Sequence, residues 1–537
     1  MRTVLDAATV PRNTRSRPDA RVVATISSWT PRVVAPIAVL ALGIGMQAVY
    51  LRLLSSSQDG MTYFERAAAF PDVNADHFSL RVGLLLPVRA FQELFGYSEA
   101  AYYAVPLLAG ALLVLATYWL GWRLFNPAVG VGAAVLLVLN GVFLDISTVL
   151  FPDIVGAALF LAALSLVVFV AERASPWSRR EHAVLVLAGL LLGWSYLVRE
   201  FIVFAFPVVA LVFWAYRVPW RQLRWVAGAA VAVFAGEIVL NAILHGDPLA
   251  RILVSGGHGG QRDYITDSRI DALTRFPTAL DDAFGGVPLF VAFALLPFAL
   301  AIRERRFRLV AGWFLAFWIP ITLGSGLVVP SYRLLRADQL RYWMPVIPAV
   351  VIGGVAVADH ALALALSRMR RAGALGAWLP GIAVITLALG LGIAGTADDR
   401  EQDIYRTNGA TQLLELRTWL ATKGADVPVI WTDPFTARLI PVYARTTFGD
   451  EIWHGKVRSF VRNGRILDPG QMDRDLESLR AHGRADDILV QTCRKLAARA
   501  EESLRQQDGS DFNVRRLEMM RTSLVTTWKQ VRSRLAR

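Results

Sequence analysis

From Val33 to Thr396 the chain alternates between apolar runs of about 16–25 residues and shorter polar connections. The runs are Val33–Leu54, Ala101–Leu120, Ala128–Leu144, Ile154–Ala171, Ala183–Val198, Phe201–Tyr216, Val226–Leu244, Val287–Ile302, Leu309–Val329, Tyr342–Leu366 and Leu375–Thr396. A helix rising about 1.5 Å per residue needs roughly 20 such residues to cross a bilayer core. The pattern therefore predicts an α-helical polytopic membrane protein with about eleven transmembrane helices. The pair Ala183–Val198 and Phe201–Tyr216 is short, and reads either as one kinked element or as two crossings. Basic connections on both sides favour two.

The connections orient the chain. Gly121–Pro127, Glu172–His182, Arg217–Trp225, Arg303–Arg308 and Ser367–Arg371 all carry Arg. The positive-inside rule places them, and the Arg-containing segment 1–32, in the cytoplasm. Ser55–Ala100, Asp145–Asp153, Arg199–Glu200, His245–Gly286 and Pro330–Arg341 then face outward. Three regions result: a basic tail at 1–32, a transmembrane domain at 33–396 with its first outer loop at 55–100, and an extracytoplasmic soluble α/β domain at 397–537. In the last, VPVIWTD reads as a buried strand, and TQLLELRTWLATKG and the stretches near Leu476–Leu479 and Ala497–Leu504 as helices.

Composition agrees. Of the 537 residues 55% are hydrophobic, and the mean hydropathy is +0.44. The formal charge is +13, and Arg supplies nearly all the basic residues, since the lysines are only Lys423, Lys456, Lys495 and Lys529. In a membrane protein such a balance means cytoplasmic loops and anionic lipid before it means nucleic acid, which is not expected as a partner. A lone Cys493 excludes an intramolecular disulfide.

The chemistry concentrates in the first outer loop, QDGMTYFERAAAFPDVNADHFSLRVGLLLPVRAFQELFG, with Asp59, Asp76, His77, Arg81 and Arg89. Charged groups held beside a bilayer are costly unless used. QDGMTYFERA resembles the acid-acid-x-x-Tyr segment that opens the first outer loop of the GT-C membrane glycosyltransferases, in the branch of the protein O-mannosyltransferases and the lipid A aminoarabinose transferase. Asp59 matches the first acid and Tyr63 the tyrosine, while Gly60 stands where the second acid would be. HFSLRVGLLLPVRAFQELFG is similar to the family's His-x-x-Lys-Pro-Pro-Leu segment, with Arg81 close to the lysine and Val82 and Gly83 in place of the prolines. STVLFPDIVG supplies a Pro-Asp pair at Asp153. GLLLGWSYLVREF resembles a glycine-rich span that ends in a basic residue. LRYWMPVIPAV resembles Arg-Tyr-x-x-Pro-x-x-Pro at Arg341 and Tyr342.

The resemblance spans roughly residues 33–366 and implies a sugar transfer from a polyprenyl-phosphate donor to a hydroxyl of a glycan, lipid or protein. It implies Asp59, as general base, and Asp153 as catalytic residues, Arg81, Arg89 and Arg341 as donor-phosphate ligands, and Tyr63, His77 and Tyr342 as substrate contacts. Arg199 and Arg336 fall on the same predicted face. A divalent metal ion stays open, although Gly60 breaks the acidic pair. Trp343 and Tyr102 are placed to stack on a sugar or to join the aromatic belt.

Bland readings stand beside these. Asp59 and Asp153 each suit a helix N-terminus. Arg199 and Glu200 suit a pair capping a tight turn, and SGGHGG suits a mobile outer loop. Glu237, deep in its span, has Asn241 one turn on, or water, as a partner. A multispan transporter or lipid/glycan flippase is the alternative function. It calls for charged or broken helices at mid-membrane depth, ideally in repeated halves, and Glu237 is the one feature of that kind.

Overall fold

The computed structural model describes residues 33–54, 59–173, 177–258, 269–281, 287–324, 339–367 and 379–401, with the short C-terminal pieces 417–418, 430–432, 434–444 and 457–459. Its helices are α1 (Ala35–Val49), α2 (Asp59–Ala69), α3 (Val82–Phe95), α4 (Glu99–Leu124), α5 (Pro127–Val138), α6 (Gly141–Ser147), α7 (Pro152–Ala171), α8 (Arg179–Val198), α9 (Pro207–Tyr216), α10 (Leu223–His245), α11 (Ala250–His258), α12 (Arg269–Asp281), α13 (Val287–Leu295), α14 (Arg305–Thr322), α15 (Ile347–Ser367) and α16 (Leu379–Glu401). Strand β1 (Ile430–Thr432), helix α17 (Pro434–Tyr443) and strand β2 (Val457–Ser459) follow. The strands pair in parallel, with Ile430 opposite Val457. Strand β1 falls in the VPVIWTD segment. The other C-terminal stretches predicted as helices lie almost wholly outside the described residues.

Each of the eleven predicted apolar runs contains helix among its described residues, but they are not alike. Among the described residues five helices have the length and composition to cross a membrane. A sixth candidate, α5 with α6, is bent by 68°. The break falls at Asn140, whose side chain accepts from the amides of Val142 and Phe143 and so starts a new helix. Phe201–Tyr216 opens as a 3-10 turn over Glu200–Ala205 before α9 begins at Pro207. Prolines at the first position and polar caps set the other boundaries. Asn126 caps α5, Pro152 opens α7, and Ser178 with Glu181 forms a capping box on α8.

Helix α7 is buried along most of its length, whereas α10 is mostly exposed and packs against α8. That packing depends on backbone proximity. A Cβ at Gly189 would lie 2.3 Å from the Val226 carbonyl oxygen, so glycine alone lets the two helices meet there. The loop elements α2 and α3 sit across one end of the bundle. Met61, Phe64 and Ala67 recur on one face of α2 and are fully buried. The opposite flank carries Asp59, Thr62, Glu65 and Arg66. From α3, buried Gln92 donates to the Phe64 carbonyl at 2.8 Å.

Gly189→Leu should force α8 and α10 apart and lower stability by about 1–3 kcal/mol. A thermal melt of the detergent-purified protein, followed by loss of monodispersity, measures this.

Candidate functional site

At the loop end of the bundle, side chains from six elements converge. Asp153 sits in the first turn of α7, almost fully buried, and Arg199 at the end of α8 donates from Nε to its Oδ1 at 3.0 Å. The next residue, Glu200, faces the other way. It accepts from Arg81 Nη2 at 3.4 Å and lies 3.7 Å from Arg251 Nη2. The expectation that Arg199 and Glu200 pair with each other is therefore corrected: each crosses to a different element.

Arg251, on α11, is the functional residue that sequence reasoning missed. It is buried, ion-pairs with Glu237 of α10, and donates to the carbonyls of Leu80, Tyr196 and Leu197. Two of those carbonyls belong to the last turn of α8, where a cation also meets the negative end of the helix dipole. Glu237 is thereby accounted for by Arg251 rather than by Asn241. The cluster holds three buried arginines (Arg81, Arg199, Arg251) and three carboxylates, of which Asp153 and Glu237 are buried and Glu200 is partly exposed, so its formal charges balance. Arg251 stands between His245–Gly246 and SGGHGG, which mark a loop but do not show that its guanidinium would turn into the bundle.

Arg81 keeps unused capacity. Among the described residues its Nε has no hydrogen-bond partner, nor does the hydroxyl of buried Tyr63. The Arg81 guanidinium lies 5.4 Å from the centre of the Tyr63 ring. Burial, with neighbouring Arg199, pushes Arg81 down to about 10, opposed by Glu200 and Asp153. It stays cationic at neutral pH.

Asp59 is the first residue of α2, where the helix dipole favours a carboxylate. Its side chain is 45% exposed, and Oδ2 lies 3.5 Å from Arg341 Nη1. Arg341 is on the 3-10 turn Leu340–Trp343 and also donates to Gln339 at 3.0 Å. The Tyr342 ring stands between two guanidinium groups, 4.8 Å from that of Arg199 and 5.4 Å from that of Arg341. Asp59, Arg341, Tyr342, Arg199 and Asp153 thus form one continuous contact chain, and Tyr63 with Arg81 lies on the α2 side of it.

Other predicted residues fall elsewhere. Arg89 donates to the Ala68 carbonyl at the C-terminal end of α2 and pairs with Glu93, 3.0 Å away on its own helix. Trp343 and Tyr102 are fully buried, Trp343 against Phe276, Phe314 and Phe317, so neither is open to a sugar in this conformation. Arg336 lies outside the described residues, as does the Gly259–Gly260 end of SGGHGG. His77 packs on Phe78 and lines a cavity of about 490 Å³ with Thr62, Arg66, Asp76, Phe78 and Val254. Thr62 and Arg66 follow Asp59 by three and seven residues, which puts all three on one side of α2.

The residues do not fit a metal ion at Asp59. A Cβ at Gly60 would lie 2.4 Å from the Tyr102 hydroxyl and 3.1 Å from the Leu150 carbonyl oxygen. Tyr102 is buried and its hydroxyl hydrogen-bonds to the Leu150 amide, so a second acid has no room at position 60. The neighbour of Asp59 is a cation. Among the described residues no three His, Cys, Asp or Glu side chains gather as metal ligands.

In fold the chain is similar to the GT-C membrane proteins. Residues 85–240 match the family model described as dolichyl-phosphate-mannose-protein mannosyltransferase, a stretch that includes Asp153, Arg199, Glu200 and Glu237. Among solved structures the chain is similar to ArnT from Cupriavidus metallidurans in the apo state, at 14% identity over 79% of this chain and 85% of that one, with a TM-score of 0.51. It is similar to ArnT bound to undecaprenyl phosphate at 16% identity over 80% and 88%, again with a TM-score of 0.51. At such identities the likeness is one of fold. Comparison with curated proteins finds no match.

Asp153→Ala strands Arg199 in a buried site, and losing one partner of such a pair costs about 3–5 kcal/mol. The paired change Asp153→Leu with Arg199→Met should cost less, and thermal melts of the two variants test the difference. A second outcome concerns pH. Burial pushes the Asp76 carboxyl up, but the Ser79 and Phe78 amides and Arg66 outweigh it and hold the group below the usual carboxylate range. A lowered folded value stabilises the loop above the ordinary carboxylate range, and that contribution fades as pH falls through it. Protection of the Phe78 and Ser79 amides, corrected for the intrinsic pH dependence of exchange, should therefore fall at acid pH more than protection in α7 does. An equal fall in both would refute the assignment.

Proposed function

We propose that the chain is an inverting glycosyltransferase that moves a sugar from a polyprenyl-phosphate donor to a hydroxyl acceptor at the outer face of the bacterial cytoplasmic membrane. The observation that carries this reading is the juxtaposition at the loop end: a half-exposed carboxylate, Asp59, joined through Arg341 and Tyr342 to a buried arginine cluster with donors to spare.

In this reading the donor's C1–O(phosphate) bond breaks as the acceptor oxygen bonds C1 from the opposite face. Asp59 takes the acceptor's proton as general base. The departing lipid phosphate gathers negative charge. Arg81 and Arg341 meet it with fixed guanidinium donors, which stabilise the charge without reorganising. Tyr63 offers its unpartnered hydroxyl beside Arg81, and Tyr342 holds Arg341 and Arg199 apart at a set spacing. Asp153 is too buried to reach a substrate. It acts as a positioning residue that keeps Arg199 in place. Arg89 acts as a helix cap, since its guanidinium serves the carbonyl end of α2. The cavity beside His77 and Arg66 receives the acceptor, a cell-wall glycan, lipid-linked glycan or protein. No step runs through a metal ion.

The polyprenyl assignment draws support from the solved ArnT complex, which holds undecaprenyl phosphate on the same fold. For the transporter alternative, the charge at Glu237 is balanced by Arg251 from a loop helix, while the break at Asn140 is a feature that it shares.

The test supplies membranes with radiolabelled polyprenyl-phosphate sugars. Wild type should transfer label. Asp59→Asn, at equal expression, should lose at least about 100-fold in kcat. Arg81→Ala should raise the donor KM by about tenfold or more, the loss of a charge-assisted contact. Transfer by Asp59→Asn at the wild-type rate would refute the mechanism.

A further inference from the structure

The short helix that carries Asp59 is gripped from the C-terminal part of the chain. Arg438, on α17, donates from Nε to Glu65 Oε1 at 2.6 Å and from Nη2 to Glu65 Oε2 at 2.7 Å. The same Nη2 donates to Thr62 Oγ1 at 3.0 Å. One guanidinium therefore forks onto two positions of α2 that are three residues apart and one to two turns beyond Asp59. Five residues later in α17, buried Tyr443 donates its hydroxyl to the Leu54 carbonyl at 2.7 Å, on the other side of Asp59 in the chain. Leu439, Ile440 and Val442 are buried between these two points. Helix α17 thus bridges residues 54 and 65, with Asp59 midway.

Helix α2 needs such holding. At 11 residues it is shorter than the length at which an isolated helix persists in water. Its buried face is anchored by the bundle and α3, whereas its polar flank meets Arg438. A surface ion pair is worth little in general, but a bidentate Arg–carboxylate contact with a third bond fixes geometry. Displacing a catalytic group by about 1 Å can cost 100-fold in rate.

We propose that Arg438 is a positioning residue: through Glu65 and Thr62 it sets where α2, and with it the Asp59 carboxylate, stands relative to Arg341. The C-terminal part of the chain thereby serves catalysis without touching substrate. The inference rests on the reading of Asp59 as the base.

The experiment uses the full-length protein in nanodiscs and takes two readouts: amide hydrogen exchange in α2, and transfer kinetics with the polyprenyl-phosphate sugar that wild type accepts. The variants are Arg438→Ala, Arg438→Lys and the exchanged pair Arg438→Glu with Glu65→Arg. Arg438→Ala should speed exchange in α2 by about tenfold. It should lower kcat by about 10- to 100-fold, with the donor KM held within about twofold. The exchanged pair should recover most of both, and Arg438→Lys part. Unchanged α2 exchange in Arg438→Ala would overturn the grip. Faster exchange with an intact kcat, or a loss confined to donor KM, would overturn the positioning role and leave Asp59 as the base untouched. A wild type that transfers nothing from any polyprenyl donor would overturn the Asp59 reading and the positioning role with it, while the exchange arm would still decide whether Arg438 holds α2.

Discussion

Three arginines buried at one end of a membrane bundle must be neutralised where they lie, and the loop end of this protein is organised around that constraint. An unpaired buried guanidinium would cost several kcal/mol, so each of these three meets a carboxylate, and the carboxylates come from α7, α10 and the turn after α8. The network does more than cancel charge. It ties the starts and ends of separate helices together and fixes the loop segment around Arg81 and α11 to the bundle. Replacing the pairs by apolar residues of similar volume could fold equally well. What the charged version adds is a set of guanidinium donors held at fixed positions, which apolar residues lack.

On that platform the reactive groups are graded by exposure. Asp153 is inaccessible and balanced, Arg81 is buried but has a free donor, and Asp59 is open. The proposed transfer needs this gradient, because the group that takes a proton must reach the acceptor while the groups that stabilise the leaving phosphate must not relax. Gly60 belongs to the same logic. The Tyr102 hydroxyl fills the place of a second acid, so the cation nearest Asp59 is Arg341.

Much of this was legible in the chain. Runs of apolar residues specify helices by length alone, and each of the eleven contains helix among its described residues, because in lipid a backbone can satisfy its polar groups only internally. Asp59, Arg341 and Tyr342, far apart in sequence, were each singled out by local motifs, and the fold brings them into contact. The polar caps Asn126, Asn140 and Ser178 mark helix starts that residue type already suggests.

The partners were not legible. Nothing near Arg251 in sequence announces that it will reach Glu237, and adjacency made Arg199 and Glu200 look like a pair when they serve opposite sides. The aromatic rings of Trp343 and Tyr102 looked like surface groups and are core. Periodicity and composition report on one element at a time, so the sequence by itself determined which segments are helices, where they start, and which residues have chemistry to offer. Which charge meets which, which tyrosine fills the space beside Gly60, and that Arg438 reaches back to α2 are settled by packing between elements separated by tens to hundreds of residues. Only the tertiary structure decides that, because the energy of a buried charge depends on what surrounds it in space, not on its neighbours along the chain.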